Sequence, residues 1–263
     1  MKKTMKTHLV LLGMVACLGV TTSLACAAEG KPTADLTVSA LSKYVWRGYE
    51  LSKDSIVLQP SMTVGYKGFG FNLWGNLDTN QDTDIYGEDT NSLNETDMTL
   101  SYDGSKGMVG YSLGYIYYAL EGADDSQELY AGISLDTLLS PTLTIYRDID
   151  VFHTWYTTLA VSHSLPLGEN LALDLGAQIG YYAYDNVEDM ADPSDPTQEY
   201  SALHDGLLSA SITFPIKDNI SITPQLYYSF ALSSDSSDAL KDASANGDDD
   251  DFIYGGVSLS LAF

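Results

Sequence analysis

The sequence predicts an all-β fold: a transmembrane, antiparallel up-and-down β-barrel of twelve strands, with ten and fourteen as the alternatives. Three observations carry this. Apolar and polar residues alternate over stretch after stretch, the period of a strand whose side chains point to opposite faces. The polar face is mostly Ser, Thr and Gly. The connections also sort by parity. Those after the third, ninth and eleventh strands are long and acidic, and those after the second, fourth, eighth and tenth are tight. A soluble sandwich has no reason to sort its connections. A membrane barrel has short turns on one side and long loops on the other.

The chain opens with Lys2, Lys3 and Lys6, an apolar run from Leu9 to Val20, and the small residues Ala25, Ala27 and Ala28. This is the order of a secretory signal. Residues 1–28 are read as one, cleaved after Ala27 or Ala28. The run is too short for a spanning helix, which needs about 20 residues. Cys26 leaves a lipoprotein signal as the alternative, although Ser23 stands where such a signal carries Leu. Residues 29–263 are then a single domain without cysteine. They hold nine basic residues against 36 acidic ones, a net charge of −27. Nucleic acid is excluded as a partner, because phosphate binding needs a basic surface.

The first strand runs from about Asp35 to Tyr49. Leu36, Val38, Ala40, Tyr44 and Trp46 share its apolar face, and Lys43 and Arg47 lie on the other. The second strand covers Leu58 to Tyr66 and the third Phe69 to Asp78. A bulge is expected at Pro60, which cannot donate to the ladder. Strands follow at Asp97–Asp103, Val109–Ala119, Glu128–Asp136 and Thr142–Asp148, where the parity breaks near Arg147. The rest are Trp155–Ser162, Leu171–Ala183, Leu207–Ile216, Ile220–Leu232 and the last, Ile253 to Phe263. Acidic loops are expected at 79–95, 121–127, 185–199 and 233–251. The final strand ends on an aromatic residue, as does the assembly signal of bacterial outer-membrane barrels, so the barrel-assembly machinery is an expected partner through Phe263.

Ser42-Lys43-Tyr44-Val45-Trp46-Arg47-Gly48, then Gln59-Pro60 and Trp74-Gly75-Asn76-Leu77-Asp78, resembles the N-terminal half of the TorF-type porins of Gram-negative bacteria. Ser140 through Asp150, with Val161-Ser162-His163-Ser164, is similar to the later part of related barrels. The resemblance implies an outer-membrane barrel with a pore. It brings no substrate and no catalytic residue.

The candidate pore-lining charges are Lys43, Arg47, Asp97, Asp103, Asp136, Asp148 and Asp174. They suit either a charged constriction that selects solutes or a network that holds a narrow lumen together. Asp78, Asn80, Asp82, Asp84 and Asp89 alternate as in a Ca²⁺ loop. However, Thr83 replaces the glycine such a loop needs, so a solvated acidic loop is the competing reading. Acidic loops could also bridge divalent cations to lipopolysaccharide. A lipase-type site would need Ser and His in contact. In Ser162-His163-Ser164 the neighbours face opposite ways, so no enzyme is expected. The expectation is a bacterial outer-membrane porin, in contact with lipid and lipopolysaccharide, that passes small polar solutes by diffusion, cations preferred. The alternative is a non-conducting structural or surface-interaction barrel.

Overall fold

The computed structural model describes residues 31–80, 92–168, 171–245, 247 and 249–263. The signal reading of residues 1–28 lies outside them. Twelve strands close into one antiparallel barrel. In chain order they are β1 (Thr33–Leu41), β4 (Val57–Tyr66), β5 (Phe69–Asp78), β6 (Ser92–Lys106), β7 (Val109–Leu120) and β8 (Ser126–Leu135), then β9 (Thr142–Asp148), β10 (Thr154–Pro166), β11 (Ala172–Tyr184), β12 (Ser201–Ile212), β14 (Ile220–Ala231) and β15 (Asp251–Ala262). Each pairs with its neighbour in this order, and β1 closes on β15 from Asp35↔Ala262 to Leu41↔Gly256. A short segment, β13 (Phe214–Lys217), continues β12 along β14 beyond Thr213.

The two ends of the barrel differ. One carries tight connections such as Lys67-Gly68 and is called here the turn end. The other carries the long connections and is called the loop end. Between them the outer face is apolar and open, with Leu100, Leu113, Val257 and Leu259 all exposed. Aromatic residues ring it at both heights. At the turn end the tilted rings of Phe69, Tyr102 and Tyr111 lie side by side. At the loop end the outward phenols of Tyr115 and Tyr228 reach Gln127 and Asp251. An apolar band between two aromatic girdles is what a bilayer requires of a barrel surface.

Four expectations need correction. The first strand stops at Leu41 rather than running to Tyr49, because residues 42–56 turn into the lumen. Within them Val45–Trp46 (β2) and Tyr49–Glu50 (β3) form a separate hairpin. Pro60 causes no bulge. It faces outward, its register with β1 is unbroken, and the β4–β5 ladder keeps its register across the missing donor. Bulges fall instead between β5 and β6 near Asn94 and between β11 and β12 near His204. The parity at Arg147 holds as well. Arg147 lies opposite outward Leu129 and Trp155 at the loop rim, where it pairs with Asp185 at 2.5 Å. That hydrogen bond keeps the Asp185 carboxyl below its ordinary range. Finally, the last acidic connection holds a helix, α1 (Ser234–Ala243). Ser233 caps it in a reciprocal box with Ser236, Asp235 sits in its first turn and Lys241 in its last, which suits the helix dipole.

Candidate functional site: a plugged lumen

The inward residues change character along the barrel axis. The turn-end half is lined by half-buried hydroxyls. They bond across strands as Thr37–Ser260 and Ser39–Ser258, both 2.7 Å, and Asn72 donates to Ser61 and Thr63. The loop-end half is lined by rings and acids: Trp74, Tyr118, Tyr130, Tyr146, Tyr156 and Tyr182, with Glu95, Asp97, Glu128 and Asp205. Large inward side chains narrow this half, and residues 42–56 turn into what remains.

The hairpin β2–β3 fills that gap. Its turn, Trp46-Arg47-Gly48-Tyr49, has two residues at its tip with φ of 50° and 84°. Positive φ at both is what a tight two-residue hairpin turn demands. Gly48 accepts this freely. It is also packed so closely that a Cβ would lie 3.0 Å from the Asp205 Cβ and 3.1 Å from Leu240 of α1. Arg47 is a strained choice in the left-handed region, at a cost of about 1–2 kcal/mol. Its contacts offset that cost.

The Arg47 guanidinium crosses the lumen. β9 lies six places round the barrel from β1, so the hairpin that leaves β1 meets the opposite wall. There Nη1 and Nη2 donate to the two carboxylate oxygens of Glu128 on β8, at 2.8 and 2.7 Å, and Nη1 also reaches the Tyr182 hydroxyl at 3.1 Å. The rings of Trp46 and Tyr156 lie 4.3 Å from its central carbon and that of Tyr146 5.0 Å. Both ion-pair side chains are about 95% buried. The two-pronged geometry and the ring faces suit Arg and no other side chain.

The rest of the hairpin is held in the same polar way. Tyr44 donates to Glu95 at 2.6 Å, and Ser52 accepts from the Tyr44 backbone. Lys43 pairs with Glu50, which also accepts from Ser244 just after α1. Helix α1 lies over the hairpin with Ala239 and Leu240 buried. The bulge near His204 turns both His204 and Asp205 inward. Asp205 then accepts from Tyr156 at 2.8 Å, over Gly180, where a Cβ would strike both groups. Beneath the tip a cavity of about 30 Å³ remains, bordered by Arg47, Thr158, Gln178, Asp205 and Tyr254. That is room for a water or two.

The sequence candidates separate. Arg47 is in the lumen, but at a hairpin tip and not on the first strand. Lys43 stands at the base of the same hairpin. Asp97 faces inward, buried beside Glu95, with Oδ1 lacking a hydrogen-bond partner. Asp103 and Asp174 lie in the turn-end half, bonded to Ser101 and Ser164. Asp136 is exposed in the turn after β8. Asp148 is buried but organises a loop: it accepts from Ser126 and from the backbone of Asp150, Phe152 and His153. Asp78 is buried at the end of β5 and accepts from the Asn80 backbone, while Asp82, Asp84 and Asp89 lie outside the described residues. Among the described residues no three His, Asp or Glu side chains converge as metal ligands. His163 faces outward near the turn end and contacts the Leu138 carbonyl. Sequence reasoning missed Glu128, Glu95 and Asp205. The signals were there: Ser42 breaks the apolar face of the first strand, and Arg47-Gly48 is a turn dipeptide.

No protein-family model matches the chain, and no curated protein matches it in sequence. Solved structures do. The chain resembles the NanC porin at 10% identity and a TM-score of 0.53, over 87% of this chain and 98% of that one. It also matches LpxR from Salmonella typhimurium (8%, TM-score 0.48, 87% and 99% of the two chains) and an outer-membrane channel from Pseudomonas putida F1 (8%, 0.47, 89% and 96%). The likeness to the NanC porin is one of fold. What the two share is a closed antiparallel β-barrel.

Proposed function

We propose that the protein is an outer-membrane porin of the TorF type that passes small polar solutes, cations preferred, and that the hairpin β2–β3 is its gate. The turn end would face the periplasm and the loop end the outside. The observation that carries the reading is the division of the lumen. A hydroxyl-lined vestibule leads up to a plug that is attached to the wall by polar contacts around one guanidinium, not built into the wall. The inward acids Glu95, Asp97, Glu128 and Asp205 outnumber the lumen bases Lys43 and Arg47, which favours cations. Purified protein in a planar bilayer tests it. Current steps with cation-selective reversal potentials are expected; anion selectivity, or no steps even after the hairpin is deleted, refutes it.

A second reading has one observation in its favour. Hairpin and helix together fill the loop end, as they would in a non-conducting barrel whose acidic loops are its working part, holding divalent cations against lipopolysaccharide. That barrel stays silent in the bilayer with or without its hairpin.

A further inference from the structure

We propose that the wall pocket now filled by Arg47 is a binding site for small solutes that carry a guanidinium group, and that Arg47 is its built-in occupant. Every group that receives the Arg47 fork belongs to the barrel wall: Glu128 on β8, Tyr146 on β9, Tyr156 on β10 and Tyr182 on β11. Only the occupant and Trp46 belong to the hairpin.

The receptor is set independently of its occupant. Tyr118 donates to Glu128 Oε2 at 2.8 Å and so ties the carboxylate to the wall. Tyr146, Tyr156 and Tyr182 lie in a tilted series along neighbouring strands, with centroids 6.0 and 4.9 Å apart. A carboxylate tied to the wall and flanked by rings is a cage for a planar cation. Withdrawing Arg47 would leave Glu128 without its buried partner and close enough to Asp97 to interact with it, so the vacated cage favours a cation. An ammonium meets one oxygen as a point charge; a guanidinium meets both.

The cavity beneath the tip borders Arg47 and has Thr158, Gln178 and Asp205 in its lining, so withdrawal of the tip would join it to the space beside Glu128. A solute arriving there competes with Arg47 for Glu128, and the strained turn gives Arg47 a disadvantage in that exchange. This assigns a ligand class to the proposed gate and rests on that reading for its link to opening, although the pocket itself does not.

The test uses Arg47→Ala protein in detergent and methylguanidinium as probe, with urea and sodium as controls. Calorimetry should show saturable one-to-one binding that is weakened about tenfold or more by adding Glu128→Gln, with no binding of urea. Absence of binding, or equal binding with and without Glu128→Gln, overturns the proposal. If Arg47→Ala fails to fold, hydrogen exchange of residues 42–56 in the unmodified barrel is the readout. Millimolar methylguanidinium should speed it in that protein and not in Glu128→Gln; unchanged exchange overturns the proposal. Binding without conduction sinks the channel reading and keeps the pocket, whereas conduction without binding sinks the pocket alone.

Discussion

The two halves of the lumen are built on the same strands and do opposite things. Along β7 the inward residues run Gly110, Ser112 and Gly114 toward the turn end, then Ile116 and Tyr118 toward the loop end. Along β10 they run Ser164, Ser162 and Ala160, then Thr158 and Tyr156. Small side chains and hydroxyls line the turn-end half. Rings in the loop-end half leave a slot, and residues 42–56 occupy it. The comparison teaches that the wall fold does not decide closure. The size of alternate side chains does, together with one loop that folds inward.

Removing the plug should break the comparison outright. Replacing residues 43–51 by a short Gly-Ser linker should leave the barrel folded, as read by its heat-modifiable gel mobility, and raise single-channel conductance several-fold. Next comes the clamp. Glu128→Gln or Arg47→Ala leaves a buried charge without its partner, which costs about 3–5 kcal/mol. The cost should fall on hairpin docking and not on the barrel, seen as faster protease cleavage within 42–56 at unchanged barrel melting. Gly48→Ala should weaken docking by about 1–2 kcal/mol through its positive φ, and the nearness of Leu240 adds to this. Ser233→Ala removes the α1 cap and should cost about 1 kcal/mol of loop stability, measured by exchange of the α1 amides. The smallest effect belongs to the other half: Ser211→Ala should change stability by no more than about 0.5 kcal/mol and leave conductance unchanged.

The wall was legible in the sequence because an apolar outer face and a polar inner face impose a period of two on every strand. The strand beginning at Leu171 alternates without fault, and β11 falls where that alternation puts it, whereas β12 starts six residues before the expected Leu207, ahead of its bulge. The plug was not legible for a physical reason. A two-residue turn keeps side chains near strand parity, so Trp46-Arg47-Gly48-Tyr49 reads as a continuation of β1. Ser42 at an outward position and the turn dipeptide Arg47-Gly48 are the signs of the exit. Helix α1 hid for a different reason. Its buried side rests on Ala239 and Leu240 among serines and acids, too little apolar periodicity to stand out. Glu128 was visible as an inward residue, but its partner lies 81 positions away across a closed barrel. Which wall residue a loop meets depends on how many strands separate them, and that follows only from closure.

The most direct test asks whether the loop end is sealed. A Cys at Ser211, which faces the turn-end lumen on β12, reports arrival of a small charged thiol reagent added only from the loop side. The account predicts slow labelling in the native barrel and fast labelling once residues 43–51 are replaced. Equally fast labelling in both would contradict it, because the hairpin would then close nothing.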